Sequence, residues 1–184
     1  LTKNEYEGIL KYFNIDENQI FTQENHYFDT PDFALKSKGA ALRIRQKSGN
    51  FEMTLKQPAV VGLLETNQII SEEEAIMAIH NNSLPTGTIQ HLIEKYEISF
   101  SNIEYFGVLV TERVEFEYQK GLLVLDHSIY LSKEDYELEY EVENYHTGEK
   151  FFLALLNQLK IPTRETDNKI RRFYNRKFEQ TSQN

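Results

Sequence analysis

The run Tyr136-Glu137-Leu138-Glu139-Tyr140-Glu141-Val142-Glu143 constrains this chain more than any other stretch. Strand side chains alternate between faces. Glu137, Glu139, Glu141 and Glu143 therefore share one face, and Leu138, Tyr140 and Val142 the other. Glutamate is a poor strand former, yet a period this regular reads as a strand. Crowded carboxylates raise one another's pKa unless positive charge lies between them. A solvated outer face is the ordinary explanation, because charges are seldom buried. Leu42-Arg43-Ile44-Arg45 repeats the period with the opposite sign. A sheet face carrying acids and bases in register would suit a divalent metal held beside a polyanion.

Composition narrows the classes. A length of 184 residues suits one domain, or one domain with an appendage, with a proper core. The 12 Phe and 11 Tyr, with no Trp, favour a β-rich fold. The absence of Cys excludes disulfides and thiolate metal sites and fits a reducing cytoplasm. No apolar run approaches the ~20 residues that span a bilayer, so the chain reads as soluble, with no membrane partner. A net charge of −9 argues against a nucleic-acid polymer as partner. Against that acidity, Arg43, Arg45, Lys56, Arg113, Lys169 and Arg172 fall in or beside strand-like patterns, which points to positive charge gathered in one cavity. The five His show no ligand spacing. There is no phosphate-binding Gly-x-x-x-x-Gly-Lys loop and no nucleophile in a recognisable elbow. A homodimer remains open.

Two capping boxes, Thr2-Lys3-Asn4-Glu5 and Ser71-Glu72-Glu73-Glu74, start helices that run to about residues 13 and 81. Further helices are predicted over 88–97, 147–159 and 168–177, with a short helical or extended piece over 33–38. Strands are predicted over 20–28, 41–47, 51–57, 63–70, 103–111, 111–119, 122–128 and 136–142. The expected fold is α+β and mainly antiparallel β: an eight-stranded antiparallel barrel with helices packed outside, an open sheet being the alternative. Helices with apolar faces need an apolar surface to sit on. If they cover the barrel exterior, the charged strand faces line its interior. An ordinary sheet with its charges in solvent fits the same pattern.

Several motifs occur in order: Asn25-His26-Tyr27-Phe28-Asp29-Thr30-Pro31, Gly39-Ala40-Ala41-Leu42-Arg43-Ile44-Arg45, Thr54-Leu55-Lys56-Gln57-Pro58, Glu112-Arg113, Leu125-Asp126, Glu137-Leu138-Glu139 and Asn168-Lys169-Ile170-Arg171-Arg172-Phe173. Together they make the chain resemble the CYTH superfamily of triphosphate tunnel metalloenzymes, most closely its uncharacterised Gram-positive branch. The resemblance implies a single domain over residues 1–184, an eight-stranded tunnel, and metal-dependent hydrolysis of a small triphosphate (inorganic tripolyphosphate, thiamine triphosphate or a nucleoside triphosphate), with a small triphosphate or polyphosphate as the ligand. By that likeness Arg43, Arg45, Lys56, Arg113, Lys169 and Arg172 hold phosphate oxygens. Glu137, Glu139, Glu141 and Asp126 hold Mg²⁺ or Mn²⁺, with Glu65 a further acidic position. Glu137, Glu139 and Lys169 are the expected catalytic groups. Adenylyl cyclase activity, or a polyphosphate or nucleotide sensor without catalysis, are the alternatives. The family opens with a Glu-x-Glu-x-Lys strand ahead of its first helix. This sequence begins at that helix, so the strand is expected upstream of Leu1.

Overall fold

Two consecutive residues with positive φ, Ser48 (51°) and Gly49 (76°), close the hairpin between β2 (Ala41–Lys47) and β3 (Asn50–Pro58). A two-residue loop of this hand matches the twist of the strands it joins. The computed structural model that contains it describes residues 1–60 and 62–181. These residues fall into two compact units, Gln23–Leu109 and Leu1–Thr22 with Val110 onward.

In the first unit, β1 (Phe21–Asp29), β2, β3 and β4 (Leu63–Ile70) form an antiparallel ladder in the order β4-β3-β2-β1. Asp29 ends β1 by accepting backbone N–H bonds from Thr30, Leu35 and Lys36, which holds the short helix α2 (Ala34–Ser37). Leu42 and Ile44 of β2 and Met53 and Leu55 of β3 are fully buried with Ala75 and Ala78 of α3 (Glu72–Asn81) and Ile89 and Ile93 of α4 (Thr88–Glu94). Ser71 caps α3 with both halves of the expected box. The opposite face carries Asn25, Arg43, Arg45, Thr54 and Lys56, set opposite one another by the register Asn25↔Arg45, Arg43↔Thr54 and Ala41↔Lys56.

The second unit holds most of β5 (Glu104–Tyr118), then β6 (Gly121–Tyr130) and β7 (Lys133–Val142) as consecutive hairpins. Its apolar core joins Val114 and Leu125 to Tyr6 and Ile9 of α1 (Lys3–Tyr12) and to Leu156 of α5 (Tyr145–Gln158). Gly148 allows α5 to lie on β7, since a Cβ there would come within 2.4 Å of the Val142 side chain. The final helix, α6 (Lys169–Thr181), buries Phe173 and Tyr174, with the Phe173 ring on Tyr130. No helix among the described residues is long and apolar enough to cross a membrane.

The expected eight-stranded barrel is corrected here. Seven strands form one antiparallel sheet in the order β4-β3-β2-β1-β5-β6-β7, and no described ladder closes it. The missing strand is a matter of division: residues 103–111 and 111–119 are one 15-residue strand, β5. Thr111 is buried in mid-ladder opposite Ser128 and makes no turn. As a β-branched residue it propagates the strand it was expected to end.

Candidate functional site

The charged face of β5–β7 is built by register. Arg113 lies directly across from Asp126, and Asp126 directly across from Glu137. Three charged side chains on adjacent strands thus stand in one row, with Glu139 two residues along β7 on the same face. Asp126 is wholly buried, and buried carboxylates need partners. Arg113 supplies two of them, its Nε and Nη2 each donating at 2.7 Å.

The third partner comes from α6. Lys169 Nζ sits 2.7 Å from Asp126 and 3.0 Å from Glu137, and it also donates to Glu139. One ammonium therefore gathers three carboxylates. Burial would lower the Lys169 pKa, but Asp126, Glu139 and Glu137 outweigh it and hold the pKa above its ordinary value. Burial likewise opposes ionisation of Glu137, yet the bonds from Arg172 and Lys169 keep its pKa below the usual carboxylate range. Arg172, three residues beyond Lys169 on the same helix face, grips Glu137 with both Nη atoms, at 3.0 and 2.6 Å. Its Nε donates to Asp135 at 2.9 Å.

A second group lies on the polar face of β1–β4. Arg43 is 8% exposed, and among the described residues its Nε has no hydrogen-bond partner; neither has the hydroxyl of Thr54, its cross-strand neighbour. Arg45 Nε donates to Asn25 at 3.1 Å. Lys56 Nζ meets Glu65 at 2.5 Å, and Arg43 approaches the same carboxylate at 4.0 Å. Burial and the nearby Arg43 charge push the Lys56 pKa below its ordinary value. Buried donors without acceptors, beside a lysine that gives up its proton more readily than usual, describe a face suited to an anion.

Of the residues expected from sequence, Arg113, Asp126, Glu137, Glu139, Lys169 and Arg172 form one connected cluster, and Arg43, Arg45 and Lys56 share one face with Glu65. Glu141 stands apart: it is exposed and forms no ion pair among the described residues. Sequence reasoning missed Asp135 and Tyr130, which hold Arg172, and Asn25 and Thr54. Asp135 was within reach, since it extends the period-two acidic face by one step; Tyr130 carried no signal beyond that of a core aromatic. Among the described residues no group of three or more His, Asp or Glu stands arranged around a metal position; Asp126, Glu137 and Glu139 are ion-paired to Lys169.

The CYTH domain model matches residues 1–174. The chain is 50% identical, over 96% of its length and 92% of the relative's, to YjbK of Bacillus subtilis, a protein provisionally named a triphosphatase. A crystal structure from Bacillus halodurans, provisionally named an adenylate cyclase, is 40% identical with a TM-score of 0.88, covering 95% of this chain and 93% of that one. A Hippeastrum protein, provisionally an adenylyl cyclase and described as having a dominant triphosphatase activity, superposes with a TM-score of 0.82 over 95% of this chain and 91% of its own. At 18% identity that last likeness bears on the fold alone. Motif order, sheet architecture and this match over nearly the whole chain agree: the protein belongs to the CYTH domain family, whose membership implies a divalent metal.

Proposed function

We propose that this chain hydrolyses a small triphosphate — inorganic tripolyphosphate, thiamine triphosphate or a nucleoside triphosphate — with Mg²⁺ or Mn²⁺ as cofactor. The observation that carries this reading is the convergence of Asp126, Glu137 and Glu139 on the single ammonium of Lys169. Carboxylate oxygens are hard donors, and a set already gathered round one positive charge fits a hard divalent cation. Asp126, Glu137 and Glu139 would hold it, with Lys169 withdrawing toward the phosphates; Glu141 would join only from the exposed end of the row. The provisional name of the Bacillus subtilis relative supports the same class of reaction.

A triphosphate is a dense run of negative charge that repels a nucleophile, and its leaving group gains charge during cleavage. Preorganised cations offset both, so no covalent intermediate is needed. Within their own unit Arg113 and Lys169, beside the proposed metal ligands, bind phosphate oxygens; Arg43, Arg45 and Lys56 offer a phosphate-binding face on theirs, the arginines through their planar forks. The orphaned Arg43 Nε and Thr54 hydroxyl support an acceptor arriving on that face. The metal, when bound, neutralises phosphate oxygens and activates water. Glu139, the most exposed of the three carboxylates at 39%, takes the proton from the attacking water.

The test is phosphate release from tripolyphosphate, ATP and thiamine triphosphate with Mg²⁺ or Mn²⁺ and with chelator. Metal-dependent orthophosphate from one of them is the expected result. Cyclic AMP and pyrophosphate from ATP would place the protein with the cyclases instead. Triphosphate binding without turnover under any metal would make it a sensor.

A further inference from the structure

Arg172 is satisfied by the protein at all three of its guanidinium nitrogens. Nε donates to Asp135, Nη2 to Glu137, and Nη1 to Glu137, the Thr166 hydroxyl at 3.1 Å and the Asp167 carbonyl at 2.6 Å. Asp135 is in turn held by a second donor, the Tyr130 hydroxyl, on the same oxygen that takes Arg172 Nε. Tyr130 is 2% exposed, and its ring packs on Phe173, the next residue of α6. The chain of contacts runs from a buried phenol through Asp135 and Arg172 to both oxygens of Glu137.

Such saturation is unlike a phosphate-gripping arginine, which needs its fork free. Arg43 has a donor to spare; Arg172 is fully engaged at its Nε and Nη1 and is committed to Glu137 by both Nη atoms. A carboxylate has about four acceptor sites, and a bidentate arginine takes one on each oxygen. Lys169 takes the second site on Oε2, so Glu137 keeps capacity on Oε1 while its plane is fixed. Hydrogen bonds that orient a ligating carboxylate tune metal affinity as the ligands themselves do.

We infer that Tyr130, Asp135 and Arg172 form a relay of positioning residues that fixes Glu137 for the metal, so that Arg172 acts through Glu137 and not on the triphosphate. This rests on the reading of Glu137 as a metal ligand. Because one guanidinium is shared by two carboxylates, Asp135 leaves the three groups with net negative charge, so Glu137 is not cancelled as a donor for a cation.

The experiment measures Mn²⁺ affinity without substrate, by electron paramagnetic resonance, and KM and kcat for tripolyphosphate, on Glu137→Gln, Asp135→Asn, Arg172→Lys and Tyr130→Phe. Tyr130→Phe keeps the ring contact with Phe173, so it reads the relay even where Asp135→Asn fails to fold. Expected are a loss of Mn²⁺ affinity of about 10- to 100-fold in Asp135→Asn and Arg172→Lys, a smaller loss in Tyr130→Phe, a matching rise in the Mn²⁺ concentration that gives half-maximal rate, and a tripolyphosphate KM at saturating metal within about twofold of the parent. A KM raised tenfold or more in Arg172→Lys with Mn²⁺ affinity unchanged would overturn the inference and return Arg172 to the triphosphate. Parent-like Mn²⁺ affinity in Tyr130→Phe and Asp135→Asn, with affinity lost in Glu137→Gln, would overturn the relay and leave the ligand reading standing. Unchanged affinity in Glu137→Gln would overturn both.

Discussion

Arg113 and Asp126 face each other across the β5–β6 ladder and are joined by two parallel hydrogen bonds of 2.7 Å, with the carboxylate wholly buried. Asp126 is also 2.7 Å from Lys169, so one buried anion holds two cations from different elements. The pairing keeps the Arg113 pKa above its ordinary value against the opposing effect of burial. Whatever the ligand, this carboxylate organises the charged face of β5–β7.

Asp126→Asn should therefore be among the most destabilising conservative changes in the chain. It leaves Arg113 and Lys169 in a buried setting without their shared counter-ion, and breaking a buried pair in this way costs about 3–5 kcal/mol. Urea unfolding of the variant beside the parent checks this. A loss below about 1 kcal/mol would mean that the two cations find other partners.

Glu139→Gln should act differently, because Glu139 is more exposed and Lys169 retains two other carboxylates. The fold should hold to within about 1 kcal/mol, as for an exposed ion pair. Mn²⁺ affinity and triphosphate turnover should both fall at least tenfold, since a neutral amide is a poor donor for a hard cation. Metal titration and phosphate release on the same preparation check the two halves.

Arg43→Ala and Arg45→Ala should each weaken triphosphate binding by about 1.5–3 kcal/mol, the worth of a charge-assisted hydrogen bond. Arg43→Lys should recover only part of that, because an ammonium lacks the fork. Calorimetric titration with tripolyphosphate reads the difference. Solvated arginines with no ligand role would leave the binding isotherm unchanged.

Lys56 gives the affinity a pH dependence of definite sign. Its pKa is lowered by burial and by Arg43, so the free protein loses this charge at a pH below the ordinary lysine value of 10.5. A bound triphosphate favours the charged form and raises the pKa again. Affinity should therefore fall as pH climbs through the lowered pKa, and binding there should be accompanied by proton uptake. Titrations in buffers of differing ionisation enthalpy measure that uptake; in Lys56→Met it should vanish.

Glu5 makes an acid-side prediction. Its pKa is brought down to about 2, first by the hydrogen bonds from Arg164 and then by the Thr2 backbone. A carboxylate depressed in the folded state stabilises fully above its ordinary value of 4.5, and that contribution drains away as pH falls toward 2. In Glu5→Gln the dependence of stability on pH between those limits should be shallower, as followed by unfolding at a series of pH values.

Much of this was legible because two signals are local. Thr2 and Ser71 announced helices α1 and α3, since each box closes its own hydrogen bonds within four residues. The alternation of β2 and β7 assigned faces, since strand geometry dictates them. What escaped depends on distance. Nothing local distinguishes a strand that turns at Thr111 from one that runs through it, because the difference is the partner Ser128 on β6. Tyr130 reads as a core aromatic until Asp135 and Arg172 are placed beside its hydroxyl. Glu141 carries the same period as Glu137 and Glu139, but α6 supplies its cations only to the earlier part of the row.

The division of the chain between its two units bears on the order in which it folds. The Gln23–Leu109 unit is continuous, and its ladder of successive hairpins can form from nearby pairings as soon as it leaves the ribosome. The other unit is split: Tyr6 and Ile9 emerge first, yet their partners Val114, Leu125 and Leu156 are made only after the whole intervening unit. Helix α1 must close that long loop after synthesis is nearly complete, and until then its apolar face is open to chaperones and to other chains. Truncations beyond the middle of the chain should thus yield a folded Gln23–Leu109 unit trailing an unstructured, protease-sensitive leader.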